Sequence, residues 1–176
     1  MIHLNPNNKG VDQQINNLMN WMYPEFVKLG WSDYECYGRA FRNKNPRNDK
    51  VGILEITINS KDYKDVTMDD KHTCSSFFVL KNIEFKALAE ATVSIIFQIN
   101  IKKLYNSTQT IEDEKAIDDI LTVLHYNPSL FKVGKIKRGV SEVYSDYNIN
   151  TQDRDSMSNY SVFSFDAVVT YDFNYV

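Results

Sequence analysis

Residues 161–176 read SVFSFDAVVTYDFNYV. From Phe163 to Tyr175 every second residue is apolar or aromatic: Phe163, Phe165, Ala167, Val169, Tyr171, Phe173 and Tyr175. The intervening positions are Ser164, Asp166, Val168, Thr170, Asp172 and Asn174, with Val168 the one apolar exception. A period of two puts these sets on opposite faces of a strand, one suited to a core. The predicted strand, 161–175, is longer than the usual five or six or so residues. A second long strand is predicted over 92–105 in ATVSIIFQINIKKLY, with Val93, Ile95, Phe97, Ile99 and Ile101 on one face. The polar alternates of the two strands are mostly neutral (Ser94, Gln98, Asn100, Ser164, Thr170, Asn174), with Lys102, Asp166 and Asp172 charged. Such a face strands few charges when buried against another protein; a large sheet with one wet face is the plainer alternative.

Working outward, Val11, Ile15, Leu18, Met19, Met22 and Phe26 recur at three and four residues, the stripe of an amphipathic helix. Pro24 is expected to kink or restart it, and Gly30 to stop it. Short strands are predicted in WSDYECYGRAF, VGILEITIN and TCSSFFVLKN, and a helical turn in EFKALAEA. A second helix lies in NSTQTIEDEKAIDDILTVLHYNP, with Thr110 as N-cap, acidic Glu112, Asp113 and Glu114 in the first turn, and a stripe of Ile117, Ile120, Leu121 and Leu124. FKVGKIKRGVSEVYSDYNI reads as one or two strands and NTQDRDSMSN as loop. The order describes an α+β domain: a mainly antiparallel twisted sheet with two helices packed on one face, formed by residues 1–176 as a single unit.

Composition narrows the function. Of 176 residues, 43% are hydrophobic, which fits a folded domain. The 20 basic and 23 acidic residues are mixed along the chain, net charge −3, unlike the concentrated basic surface of a general nucleic-acid binder. No window is long and apolar enough for a membrane helix, and MIHLNPNNKG lacks the pattern of a secretory signal. Cys36 and Cys74 read as buried, reduced thiols. His3, His72 and His125 are scattered: His72 reads as a surface turn residue and His125 as a favourable charge at a helix C-terminus. The motifs of nucleophilic hydrolases, zinc proteases, P-loops and dinucleotide sites are absent, and the six glycines do not cluster. The pairs Asp69-Asp70 and Asp118-Asp119 read as solvated charges. No catalytic residue, metal ligand or cofactor is assigned. Basic residues gather modestly around Arg42, Lys44 and Arg47, and around Lys135, Lys137 and Arg138, with Tyr34, Tyr37 and Phe41 near the first group. These are the candidates for contact with DNA.

The sequence of elements, from a leading amphipathic helix through a sheet to ATVSIIFQINIKKLY, a second helix and YSVFSFDAVVTYDFNY, resembles the tail-terminator and neck (head–tail connector) proteins of tailed bacteriophages. Plentiful Asn, Lys, Ile and Tyr, with A+T-rich codons, fit a phage genome. The resemblance implies a tail-terminator-like fold in a virion protein without enzymatic activity or cofactor. It implies a homo-oligomeric ring, hexamer or dodecamer, around a channel for non-specifically contacted DNA, between portal-side, neck and tail proteins. Arg42, Lys44, Arg47, Lys135, Lys137 and Arg138 then become channel or inter-ring contacts. Ser164, Asp166, Val168, Thr170, Asp172 and Asn174 become a subunit-interface strand. Two other classes fit the residues: a small α+β enzyme or ligand-binding domain with its own pocket, and a nucleic-acid-binding module.

Overall fold

The C-terminal strand, β9 (Ser161–Tyr171), lies between two antiparallel neighbours, β7 (Ala89–Ile99) and β8 (Lys132–Arg138). Its pairing with β7 is unbroken, from Ser161 opposite Ile99 to Tyr171 opposite Ala89. On the far side of β7 lie β6 (Cys74–Phe85), β2 (Tyr34–Arg39) and β1 (Ile2–His3), giving a six-stranded sheet of order β1-β2-β6-β7-β9-β8. A separate antiparallel sheet contains β3 (Phe41–Lys44), β4 (Gly52–Asn59) and β5 (Asp62–Asp65). Among the described residues four helices complete the α+β fold: α1 (Val11–Lys28), α2 (Ile101–Tyr105), α3 (Glu112–His125) and α4 (Val140–Val143). The computed structural model describes residues 1–6, 8–44, 52–59, 62–66, 71–106, 112–127, 132–145 and 159–172, with the backbone alone at 42–44, 52–55, 57–59 and 62–64.

The large sheet is mixed. Its long strands pair antiparallel, but β1 with β2 and β2 with β6 are parallel. Parallel neighbours need a crossover: α1 supplies one between β1 and β2, and the small sheet lies in the other, between β2 and β6. Local chemistry accounts for three further departures from expectation. Strand β7 ends at Ile99 because the Asn100 side chain accepts a hydrogen bond from the Lys103 N–H, 3.1 Å, and caps α2, so Ile101 and Lys102 are helical. The segment expected as a helical turn is the end of β6, a tight turn at 86–88 and the start of β7, with Phe85 opposite Ala89. The stretch after β8 turns into α4 at Gly139, whose φ of +77° is open to glycine.

Helix α1 runs continuously to Lys28 with Pro24 inside it. It then stops at Gly30 in a Schellman arrangement: Gly30 N–H donates to the Val27 carbonyl and Trp31 N–H to the Phe26 carbonyl, both at 3.0 Å. The accompanying apolar contact is present, with the Phe26 and Trp31 rings 4.4 Å apart. Trp31 Nε1 then donates to Asp119 on α3, 3.0 Å, and the Tyr105 hydroxyl donates to the same carboxylate oxygen, 2.7 Å. Asp119, expected as a solvated charge, thus ties the end of α1 to α2 and α3.

Both faces of the central strands are covered. On one, Val93, Ile95 and Phe97 of β7 and Phe163, Phe165 and Ala167 of β9 share a core with Ile15, Leu18, Met19 and Phe26 of α1 and Ile117, Ile120 and Leu124 of α3. On the other, Phe77, Ile96 and Val162 meet Ile56 and Val66 from the small-sheet segment, Val143 of α4 and Tyr144 just after it. One buried polar side chain joins the layers there. Gln98 donates to the Val66 carbonyl and to the Tyr144 hydroxyl, 2.8 Å, and accepts from the Ser75 hydroxyl, 2.9 Å. Replacing it removes three buried hydrogen bonds, at about 1 kcal/mol for each. Gln98→Leu is expected to lower the unfolding free energy by about 3 kcal/mol in urea titrations. Asn82→Ala, at an exposed position, is expected to change it by less than about 0.5 kcal/mol. Equal stability of the two variants contradicts the role given to Gln98.

Candidate functional site

The basic candidates divide. Arg42 and Lys44 are on β3, paired by backbone with Leu54 and Gly52, and Arg47 lies outside the described residues. Lys135, Lys137 and Arg138 are on β8, at the edge of the large sheet, remote in strand order from β2 and its continuation into β3. Lys135 is exposed, Lys137 half-buried. Arg138 forms an ion pair with Glu114 of α3, and its backbone N–H donates to Glu142, 3.2 Å. Its charge is therefore largely matched within the chain. A bulge between Val133 and Ile136 and the run of lysines give β8 the features of a protected edge.

The proposed interface strand is partly enclosed by its own chain. Ser164 is buried, its hydroxyl 2.5 Å from that of Ser94 across the β7–β9 pair. Ser94 also donates to Asp166, 2.9 Å, and Asp166 pairs with Lys81 at 2.8 Å. The polar alternates expected to meet a neighbour thus bond to one another along three adjacent strands. Val168 and Thr170 remain half-buried and Asp172 exposed, while Asn174 lies outside the described residues.

The β6–β7 hairpin offers more open surface. Strand β2 leaves β6 at the Arg39–Phe78 pair, so residues 79–84 have no strand neighbour on that side among the described residues. At the tip, Phe85 and Leu88 are 70% and 47% exposed. Lys86, bonded to Glu84 at 3.3 Å and Glu90 at 2.8 Å, braces the turn between them. The sequence signal was present in FKAL, two apolar residues around a short charged turn, but a helical reading of EFKALAEA hides it.

A second feature was invisible in the sequence. The three parallel strands β1, β2 and β6 begin at the same end of the sheet, and their N-terminal approaches bring His3, Asp33, Glu35 and His72 together. Glu35 is 7% exposed. Its Oε2 lies 2.5 Å from His3 Nε2, and its Oε1 lies 3.2 Å from the Met1 ammonium and 3.8 Å from His72 Nδ1. The Met1 ammonium also donates to the Tyr34 carbonyl. His72 Nδ1 is 3.3 Å from Asp33 Oδ1, and Asp33 Oδ2 accepts the Thr73 N–H at 3.2 Å. The His3 ring stacks on Tyr37, 4.6 Å between centroids and 11° between planes. Asp33 has a φ of +53°, a left-handed conformation that aspartate tolerates better than most residues. His3 and His72 are thus not scattered in space, and His72 is not an isolated turn residue. These nitrogen and oxygen donors are of the kinds that hold a cation.

Cys36 and Cys74, on the helix-covered face beside this cluster, are free and buried. Burial pushes the Cys36 thiol from 9.0 up to about 11, and pushes Cys74 upward as well. Folding therefore favours the protonated thiols: their contribution is full below the unfolded value of 9.0 and is lost as the pH rises from there towards about 11. Neither thiol is expected to react with Ellman's reagent in the native protein at mildly alkaline pH, and both are expected to react in urea. Rapid labelling of the native chain contradicts this burial. Compared with protein-family models, curated proteins and solved structures, the chain has no match.

Proposed function

We propose that the chain is a structural subunit of a ring in the neck or tail of a tailed bacteriophage, surrounding the DNA channel and joining head to tail. The element order resembles the tail-terminator and connector proteins, and the finer description of the fold as tail-terminator-like rests on that resemblance. On this reading the role is assembly rather than catalysis, the protein resides in the virion, and six or twelve copies close the ring against portal-side, neck and tail proteins.

The observation that supports self-association best is the β6–β7 hairpin. Among the described residues it has no strand neighbour on one side at 79–84, and it presents two exposed apolar side chains at its tip, in a sheet whose β8 edge is protected by lysines and a bulge. An open edge invites pairing with another chain, and closure into a ring satisfies every copy at once. The half-buried Val168 and Thr170 of β9 extend the surface available to a neighbour. The exposed lysines of β8, with Arg138 matched by Glu114, leave a weak positive charge compatible with DNA that must slide rather than bind.

Light scattering after size exclusion, over a range of concentrations, tests the reading, with negative-stain images of the same fractions. The native chain is expected to form oligomers that appear as rings. Phe85→Asp combined with Leu88→Asp, both at exposed positions, is expected to keep the far-ultraviolet circular dichroism and run as a monomer. A native chain that stays monomeric throughout contradicts the ring. An oligomer unchanged by the double variant contradicts the hairpin's role.

A further inference from the structure

We infer that Asp33, Glu35 and His72 form a binding site for one divalent transition-metal ion of the zinc class, with His3 holding the Glu35 carboxylate in place. One donor atom from each of the three lies within 4.8 Å of the others. A tetrahedral site with metal–ligand distances near 2.1 Å has donor–donor edges of about 3.4 Å. The separations of His72 Nδ1 from Asp33 Oδ1, 3.3 Å, and from Glu35 Oε1, 3.8 Å, are close to that edge. Three protein ligands leave a fourth position for water or a partner's side chain.

The surroundings favour an ion. Two carboxylates converge, one of them buried, and among the described residues the Met1 ammonium is the formal cation placed on Glu35. Buried carboxylates demand compensation, and a divalent ion supplies more of it than one ammonium. The outer contacts are those of an oriented ligand set. His3 Nε2–H can donate to Glu35 Oε2, so that Oε1 faces His72 and an ion there would displace or share it with the Met1 ammonium, 3.2 Å away, while the Thr73 N–H holds Asp33 Oδ2 and leaves Oδ1 towards His72. Stacking on Tyr37 fixes the His3 ring. The imidazole selects against Ca²⁺ and Mg²⁺, which take oxygen ligands. The ligands come from two parallel strand starts, Asp33 from just before β2, Glu35 from within it and His72 from before β6, so the ion clamps adjacent strands at one end of the sheet. None of this depends on whether the chain forms rings.

The test is calorimetric titration of the metal-free full chain with Zn²⁺, repeated with Co²⁺, whose visible absorption reports its coordination. One ion per chain and a tetrahedral-type Co²⁺ spectrum are expected. His3→Gln is expected to weaken binding about tenfold, as for the loss of an outer hydrogen-bond partner. His72→Gln and Asp33→Asn, at sites 27% and 49% exposed by side chain, are expected to weaken it further while preserving the circular dichroism of the fold. Absence of binding overturns the inference. So does binding of unchanged affinity and Co²⁺ spectrum in both the His72 and Asp33 variants.

Discussion

The structure depends on the double coverage of β7 and its neighbours. A strand buried on both faces and paired on both edges has no route to water for a polar side chain. Apolar residues of β7 meet α1 and α3 on one side, while Ile96 faces the small sheet and α4 on the other. Ser94 and Gln98 lie in that second layer, and each is bonded within the chain. The mixed character of the face is thus explained without a neighbour: neutral polar groups are tolerated where partners on adjacent strands and in the covering layer can be matched to them.

That constraint relocates the surface left for assembly. The long terminal strand looked adhesive because its second face alternates small polar residues with little charge. Over its first half this face is closed by Val143 of α4 and Tyr144 just after it, and by the serine–aspartate–lysine bonding that runs through Ser164, Ser94, Asp166 and Lys81. The β6–β7 hairpin runs on after β2 has diverged towards the small sheet, with Leu80 and Ile83 still packed on the core and Phe85 and Leu88 exposed at its tip. Length in β6 and β7 therefore carries the core almost to the turn and leaves the apolar tip exposed.

Much of the local structure was legible. All six positions of the apolar stripe expected in α1 are buried, and Gly30 ends the helix as its type suggests, because helical periodicity and a left-handed cap are properties of a few adjacent residues. The stripe of α3 and the alternation of β9 are readable for the same reason. Two local signals were outweighed: Asn100 is an N-cap inside what looks like strand, and the charged turn at 86–88 interrupts what looks like helix. The remaining features were beyond periodicity. Whether β1, β2 and β6 run parallel is decided by crossovers, and only that arrangement brings His3 and His72 to the same carboxylate. Asp119 likewise looks solvated on its own helix and gains its role from Trp31 and Tyr105, which the chain supplies from two other elements.

Assembly through the hairpin is the central claim, and cryo-electron microscopy of the chain's oligomer tests it most directly. The account predicts a closed ring with a central channel, in which residues 79–88 of each copy lie against the next. A map in which those residues face solvent, with the copies joined elsewhere, would contradict it.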